Sequence, residues 1–164
     1  MSGHHRPVIS SIKPHLSFRR WPQLGLLMAL VLFPTFTSAA TRSDTLDAIH
    51  RVENPLNSSR PGRFGELGAY QFRRSTWHMH TSQPFERALD RETSERIAVL
   101  HYDWLSRGLV RRGLPVTPYN VALAWNGGLT STIRGRSSRA AHDYAQRVTN
   151  LVADLSTNRL AVVP

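Results

Sequence analysis

The sequence contains no cysteine and a single lysine, Lys13, in 164 residues. Without cysteine the chain cannot form disulfides, so it must fold through its hydrophobic core in whichever compartment receives it. Every other basic residue is Arg, and 21 basic residues outnumber 11 acidic ones, for a formal net charge of +10. This surplus suits an anionic partner such as a cell-wall polymer or an outer-leaflet lipid. A solvated, Arg-rich surface is the alternative.

The sequence also lacks an apolar run long enough to span a bilayer, which takes about 20 residues. The uncharged run Leu24–Phe33 follows two adjacent arginines and precedes the small residues at positions 37–40. A basic flank, a short apolar stretch and a small-residue exit are typical of a secretory signal peptide; a membrane-anchoring segment is the alternative. We therefore predict a signal peptide over residues 1–40 and one exported domain over residues 41–164, in the periplasm or outside the cell.

Several common site signatures are missing as well. The chain has no Gly-rich phosphate loop, no Ser-His-Asp arrangement and no Cys nucleophile. His78 and His80 form an HxH pair, but a metal site needs further ligands at readable spacing, so we predict no metal and no cofactor. Charges of both signs are interspersed and no basic helix interleaves with aromatics, which argues against nucleic acid as a partner.

What the sequence does contain is the apolar spacing of helices. It predicts a first helix over residues 43–53, a long helix that begins after Asp90 and ends near Arg112, a helix from Pro118 to Trp125, and a last helix with the stripe Ala141, Tyr144, Ala145, Val148, Leu151, Val152 and Leu155. Aromatics and glycines alternate too tightly for a helix over Phe64–Phe72, which predicts a very small β-hairpin or a close approach of two backbone segments. Residues 130–136 are typical of a polar loop. The expected fold is a mostly α single domain.

Glu53 is the first candidate for chemistry. It stands seven residues after Leu46 and four after Ile49, so it projects from the apolar face of the first helix. A carboxyl held against apolar neighbours resists ionisation and can stay protonated near neutral pH, as a general acid requires. Because Glu53 precedes Asn54-Pro55 at a helix end, a solvated residue at the rim of the helix is the alternative.

Three further patterns follow Glu53 in order. They are Gly68-Ala-Tyr-Gln71 after a Gly-rich turn, Ala124-Trp-Asn-Gly-Gly128 at the end of a helix, and Tyr144-Ala-Gln-Arg-Val148 in the last helix. Together with Glu53, this order resembles the lysozyme-like lytic transglycosylases (the transglycosylase SLT family) from roughly Leu46 to Val152. The resemblance implies a lysozyme-like single domain.

The resemblance also implies that the protein cuts the MurNAc–GlcNAc bond of peptidoglycan glycan strands. In that family one Glu protonates the glycosidic oxygen and then takes the proton from the 6-hydroxyl of the muramyl sugar, which leaves a 1,6-anhydro end. On this sequence, Glu53 becomes the catalytic acid and base. The residues predicted to shape the sugar cleft are Tyr70, Gln71, Trp125, Asn126 and Tyr144, and the Tyr144 hydroxyl is a candidate partner of the catalytic carboxyl. We expect a monomer.

The sequence departs from the family pattern at four positions. Asn54 stands where Ser usually follows the catalytic Glu, Tyr70 replaces Met, Trp125 replaces Tyr, and Gly127 replaces Ala. The change at Asn54 leaves open which hydrogen bonds hold the region beside the catalytic acid. Glu66 is outside the pattern and falls where some lysozyme-like hydrolases keep a second carboxylate. Two alternatives therefore stay open, a hydrolytic muramidase that uses Glu66 and a non-catalytic wall-binding module.

Overall fold

The computed structural model describes residues 42–162, so the predicted signal peptide over residues 1–40 lies outside the described residues. In chain order the elements are α1 (Arg42–Glu53), α2 (Arg74–His78), a 3₁₀ helix (Phe85–Leu89), α3 (Arg91–Val110), α4 (Pro118–Gly127), α5 (Leu129–Ile133) and α6 (Arg139–Val162). The described part of the chain is mostly helical, as predicted, and falls in one compact unit. None of its helices combines the length and the apolar character that crossing a bilayer takes.

The long helices begin where the local sequence predicts. Asp90 precedes α3, and its carboxylate accepts the backbone N–H of Thr93 at 3.0 Å. Thr117 does the same at the start of α4, where its hydroxyl accepts the N–H of Asn120 at 3.2 Å. Pro118 follows at the first helical position, which needs no N–H donor. In both α3 and α4, a side chain before the helix accepts a backbone N–H of the first turn that would otherwise lack a partner.

Packing of α6 along α1 and α4 positions the residues of interest. Ile49 of α1, Ala122 of α4 and Val148 of α6 belong to one buried cluster, and each is 0% exposed. Burying an Ile or Val side chain contributes about 1.5–3 kcal/mol, so these contacts hold the helices in a fixed register. Glu53 lies one turn beyond Ile49, and Tyr144 lies one turn before Val148. The core therefore brings the end of α1 against the first half of α6.

The hairpin predicted over Phe64–Phe72 is reduced to one antiparallel bridge, between Leu67 and Phe72, and no strand forms within residues 42–162. The two residues exchange N–H···O bonds of 3.0 and 2.9 Å. Gly68 follows at φ +80°, and a side chain there would collide with the carbonyl of Ala88. At this point the backbone of Gly68 lies close to that of Ala88, and the β-pairing is limited to the single bridge between Leu67 and Phe72.

Residues 130–136 do not form the predicted polar loop, because α5 covers Leu129–Ile133. Gly128, at φ +85°, ends α4 and lets the next helix begin at once. The Thr132 hydroxyl donates to the Gly128 carbonyl at 3.1 Å, and the Leu129 side chain packs against Gly108 of α3. Tertiary packing of one apolar side chain therefore orders a segment whose local sequence has no helical periodicity.

Candidate active site

One cleft of about 530 Å³ brings together four of the six predicted site residues, Glu53, Gln71, Trp125 and Asn126. This volume is in the range of small-molecule binding sites. The other lining residues are Gly62, Arg63, Phe64, Glu66, Phe72, Arg73, Ser75, Thr76, His101, Gly127 and Gly128. The end of α1, the turn at Gly68 and the end of α4 are far apart in sequence, yet they converge on one concave surface.

Glu53 is the last residue of α1, and its surroundings favour the protonated form. Burial raises the pKa of Glu53 from 4.5 to about 7, because the charged carboxylate loses hydration. The Tyr144 hydroxyl, 2.8 Å from Oε1, donates a hydrogen bond that acts in the opposite direction. The charge of Glu66 raises the pKa and that of Arg147 lowers it. Glu53 therefore keeps its proton in a large share of molecules at neutral pH, which is the state a general acid needs.

Tyr144 is not among the residues that line the cleft, contrary to the prediction for the sugar cleft, but the predicted contact of its hydroxyl with the Glu53 carboxyl is present. It is 3% exposed and stands on α6 behind Glu53, where its hydroxyl donates to Oε1 of that residue. Burial and the neighbouring Glu53 raise the pKa of Tyr144 well above its usual value, so the phenol stays protonated and remains a donor. Since the fold buries its ring beneath the carboxyl, Tyr144 positions Glu53 and has no surface open to a ligand.

Tyr70 is the second predicted cleft residue that the structure places elsewhere. Its side chain is 1% exposed, and its ring centroid lies 6.1 Å from that of Trp125. It faces a separate cavity of about 540 Å³ between α1 and α3. Burial raises the pKa of its hydroxyl to about 12. The neighbouring side chains Tyr70 and Gln71 face different cavities, so only Gln71 reaches the cleft, and Tyr70 packs in the core behind Trp125.

Gln71 enters the cleft from a strained turn. Its backbone has φ +45°, in the left-handed region that non-glycine residues seldom adopt and that costs about 1–3 kcal/mol. Its Nε2 donates to the Gly68 carbonyl at 3.0 Å. A methyl group on Gly62 would lie 2.5 Å from Gln71 Oε1 and 2.7 Å from Glu66 Oε2. A side chain at position 62 would therefore require the ends of the Gln71 and Glu66 side chains to move.

Glu66 lies in the same cleft with both carboxylate oxygens engaged. Oε2 accepts the backbone N–H of Phe64 at 2.8 Å, and Oε1 lies 3.4 Å from Nε of Arg73. Partial burial acts to raise the pKa of Glu66, but the contacts with Phe64 and Arg73 outweigh it and lower the pKa. At neutral pH the cleft thus holds two carboxyls in different states, an ionised Glu66 and a Glu53 that retains much of its proton.

Asn54 ties the end of α1 to the turn that carries Gln71. It is 6% exposed, and its Nδ2 donates to the carbonyls of Ser58 at 2.9 Å and of Gly68 at 3.2 Å. Its Oδ1 accepts the N–H of Ser58 at 2.8 Å. Asn54 therefore has a structural role, because its amide fixes the end of α1 relative to the turn. A serine side chain is too short to reach both sides.

His101 lies in the cleft wall, although its place on α3 predicts only a partly buried histidine. It is 7% exposed, and its Nδ1 lies 2.9 Å from Nε2 of His80. Its ring stacks on Trp104 at 5.7 Å and meets the Trp125 ring edge-on at 4.8 Å. Burial and the charge of His80 lower the pKa of His101 to about 3, so the ring stays neutral. This layer of rings fixes the position of Trp125.

No protein-family model, curated protein or solved structure matches this chain. Over residues 42–162, no three His, Asp or Glu side chains are grouped closely enough to hold a metal ion. The functional interpretation therefore depends on the chemistry of the cleft itself, in which a carboxyl with a raised pKa lies among amide, aromatic and charged side chains.

Proposed function

We propose that this protein is an exported, lysozyme-like lytic transglycosylase that cleaves the MurNAc–GlcNAc bond of peptidoglycan. The observation that carries the proposal is Glu53, a carboxyl with a pKa of about 7 in the wall of a ligand-sized cleft. Gln71 and Asn126 supply amide donors and acceptors for the hydroxyl and N-acetyl groups of the sugar, and Trp125 offers a ring face. The order of these residues along the chain is the one that resembles the transglycosylase SLT family.

In the first step Glu53 donates its proton to the glycosidic oxygen, and the bond from that oxygen to C1 of the muramyl sugar breaks. Positive charge develops on the sugar ring, and the N-acetyl carbonyl of the substrate stabilises it. As the proton leaves, the Tyr144 hydroxyl, 2.8 Å from Oε1, stabilises the new carboxylate. A hydrogen bond to an ionised acceptor is about twice as strong as one between neutral groups, so Tyr144 favours the transition state over the ground state.

In the second step the ionised Glu53 accepts the proton of the muramyl 6-hydroxyl. The oxygen of that hydroxyl bonds to C1 and closes the 1,6-anhydro ring. Glu53 recovers the proton that it gave, so the cycle consumes no water and needs a single carboxyl. A pKa of about 7 suits both steps, since the acid and the base forms are each accessible at neutral pH.

Tyr144→Phe is expected to lower the rate of glycan cleavage about 10- to 100-fold, since a hydrogen bond to a charged group contributes about 1.5–3 kcal/mol. It should also move the alkaline limb of the pH–rate profile upward, because the Tyr144 hydrogen bond lowers the pKa of Glu53. The measurement is kcat/KM on soluble glycan strands between pH 5 and 9. Tyr119→Phe is the matched control, since its hydroxyl contacts His142 at 2.7 Å and lies outside the cleft. An unmoved limb in Tyr144→Phe would contradict this role.

A hydrolytic muramidase is the second candidate, and Glu66 is the observation that favours it. Glycoside hydrolases commonly pair a protonated carboxyl with an ionised one, and Glu53 and Glu66 differ in this way. The contacts of the Glu66 carboxylate argue against hydrolysis, because one oxygen accepts the Phe64 N–H and the other faces Arg73. These contacts lower the pKa of Glu66, which makes it a weaker base for the activation of water. We therefore favour the mechanism with one carboxyl.

Mass spectrometry of the products distinguishes the two enzymes. We expect 1,6-anhydro ends from purified sacculi with the wild type and with Glu66→Gln, and a rate within about tenfold of the wild type in that variant. Glu92→Gln is the matched control, since Glu92 lies on α3 with its side chain 85% exposed. Reducing ends, together with a loss of about 100-fold or more in Glu66→Gln, would assign hydrolysis, because a general base contributes at least that much.

A further inference from the structure

Three side chains that no sequence pattern predicts form a charged aromatic rim on the cleft. They are Arg63, Phe64 and Arg73, here called the Phe64 rim, and all three line the cleft that contains Glu53. Phe64 is 71% exposed. The guanidinium carbons of Arg63 and Arg73 lie 5.5 and 5.4 Å from its ring centroid. The ring therefore holds two cations beside the cleft, since the face of an aromatic ring attracts positive charge.

Contacts beneath the rim hold it in place. The Glu66 carboxylate accepts the backbone N–H of Phe64 at 2.8 Å, and its other oxygen lies 3.4 Å from Nε of Arg73. The Glu66 carbonyl also accepts the N–H of Gly62 at 2.8 Å. One residue thus fixes both the loop that carries Phe64 and the side chain of Arg73. These hydrogen bonds hold the turn in one conformation, so that the Phe64 ring and the two arginines stay at the edge of the cleft.

The Phe64 rim carries an excess of positive charge. Arg73 forms an ion pair with Glu66. In the described part of the chain, Arg63 forms no ion pair with any carboxylate. The other carboxyl that lines this cleft, Glu53, is only partly ionised at neutral pH, because its pKa is raised to about 7. A guanidinium group has a planar set of donors that matches a carboxylate. The natural ligand of the rim is therefore an anionic group attached to whatever occupies the cleft.

We infer that the Phe64 rim binds carboxylates of the peptide that branches from the muramyl sugar, so that the protein prefers peptide-bearing strands to strands without peptides. This inference rests on the proposed function. The sugar rings of the strand carry hydroxyl and N-acetyl groups, and its negative charges lie mainly on the peptide branch. Arg63 supplies the unpaired cation, and the Phe64 ring supplies an apolar face for the small side chains of that peptide.

The test compares the binding of three ligands to the Glu53→Gln variant, which binds strands without turnover. The ligands are peptide-bearing glycan fragments, the same fragments after an amidase has removed the peptides and left one lactyl carboxylate on each muramyl sugar, and neutral chito-oligosaccharides. We expect about tenfold tighter binding of the peptide-bearing fragments by calorimetry, the size expected for one hydrogen-bonded charge pair. Adding Arg63→Gln should abolish most of this preference. The matched control is Arg111→Gln, which removes an exposed arginine outside the cleft and should preserve the preference.

Equal affinity for the fragments with and without peptides would overturn the inference. So would an Arg63→Gln effect no larger than that of Arg111→Gln, because that result would show a general effect of net charge. If neutral chito-oligosaccharides still bind in either case, the sugar cleft stands and only the peptide preference fails. If no glycan binds, the proposed function fails as well.

Discussion

Glu53→Gln is expected to stop the release of soluble muropeptides from purified sacculi. Glutamine has nearly the same shape as glutamate, but it has no proton to donate to the glycosidic oxygen and cannot act as the base that follows. General acid–base catalysis contributes about 10²–10⁴-fold per step, so we expect a loss of at least about 10³. The measurement is chromatography of the released fragments, with the surface substitution Glu92→Gln as the control.

Retained activity in Glu53→Gln would show that Glu53 is not the catalytic acid and base. A different outcome would also be decisive: if the wild type sediments with insoluble peptidoglycan but releases no product over long incubation, the protein is a wall-binding module. The variant separates these possibilities, because it leaves the cleft in place and changes only the proton.

The same substitution is expected to raise the free energy of unfolding at pH 8 by about 2–3 kcal/mol. The pKa of Glu53 is about 7 in the folded protein and 4.5 in the absence of the fold. Between these values the folded state holds a proton that the unfolded state has lost, so wild-type stability falls as the pH rises through this window. Above pH 7 the folded protein carries a partly buried charge. Glutamine removes this penalty and retains a carbonyl acceptor for Tyr144.

The measurement for this second effect is urea denaturation of both proteins at pH 8 and pH 4. At pH 4 the carboxyl is mostly protonated in both states, so the two proteins should be nearly equally stable. His101 acts with the opposite sign, because its lowered pKa removes stability as the pH falls below about 6.5. His101 is present in both proteins, so the difference between them isolates Glu53. Equal stability at pH 8 would contradict a raised pKa.

Asn54→Ala is expected to reduce the free energy of unfolding by about 2–3 kcal/mol, because a buried amide with three hydrogen bonds is lost and its partners lose theirs. Cleavage activity should fall as well, since Asn54 links α1 to the turn at Gly68. Asn54→Ser, which introduces the residue that usually follows the catalytic Glu in the lytic transglycosylases that the sequence resembles, should recover only part of the stability. The measurement is urea denaturation at one pH, paired with the assay on sacculi.

The matched control for Asn54 is Asn150→Ala. Asn150 lies on the exposed side of α6 and accepts a hydrogen bond from Gln146 at 2.9 Å. A surface substitution of this kind changes stability by about 0.5 kcal/mol or less. If Asn54→Ala were no more destabilising than Asn150→Ala, the role of Asn54 in joining the two sides of the cleft would be wrong.

The long helices could be predicted because their signals are local. A cap such as Asp90 or Thr117 acts on a donor three residues away, and an apolar stripe repeats within one helix. The segment α5 could not be predicted in this way. It depends on Leu129 packing against Gly108, which stands on another helix and has no side chain to reveal the contact in the sequence.

The candidate site could be predicted in part for the same reason. The apolar face of α1 implied that Glu53 is buried, and the motifs that follow it contain Gln71, Trp125 and Asn126, which share its cleft. The same motifs contain Tyr70 and Tyr144, which do not line that cleft and are 1% and 3% exposed. The order of the motifs predicted which segments lie close to Glu53. The direction in which each side chain points depends on how the turn at Gly68 and α6 pack.

The sequence by itself determined that the domain is mostly helical and that Glu53 projects from the apolar face of its helix, because both follow from spacing within one element. Only the tertiary structure decided how tightly the Glu53 carboxyl holds its proton. Burial of the side chain raises the pKa of Glu53 most, and Tyr144, Glu66 and Arg147, which come from other parts of the chain, each change it further. Hydrogen bonds and charge interactions depend on distance in space, and separation in sequence gives no measure of that distance.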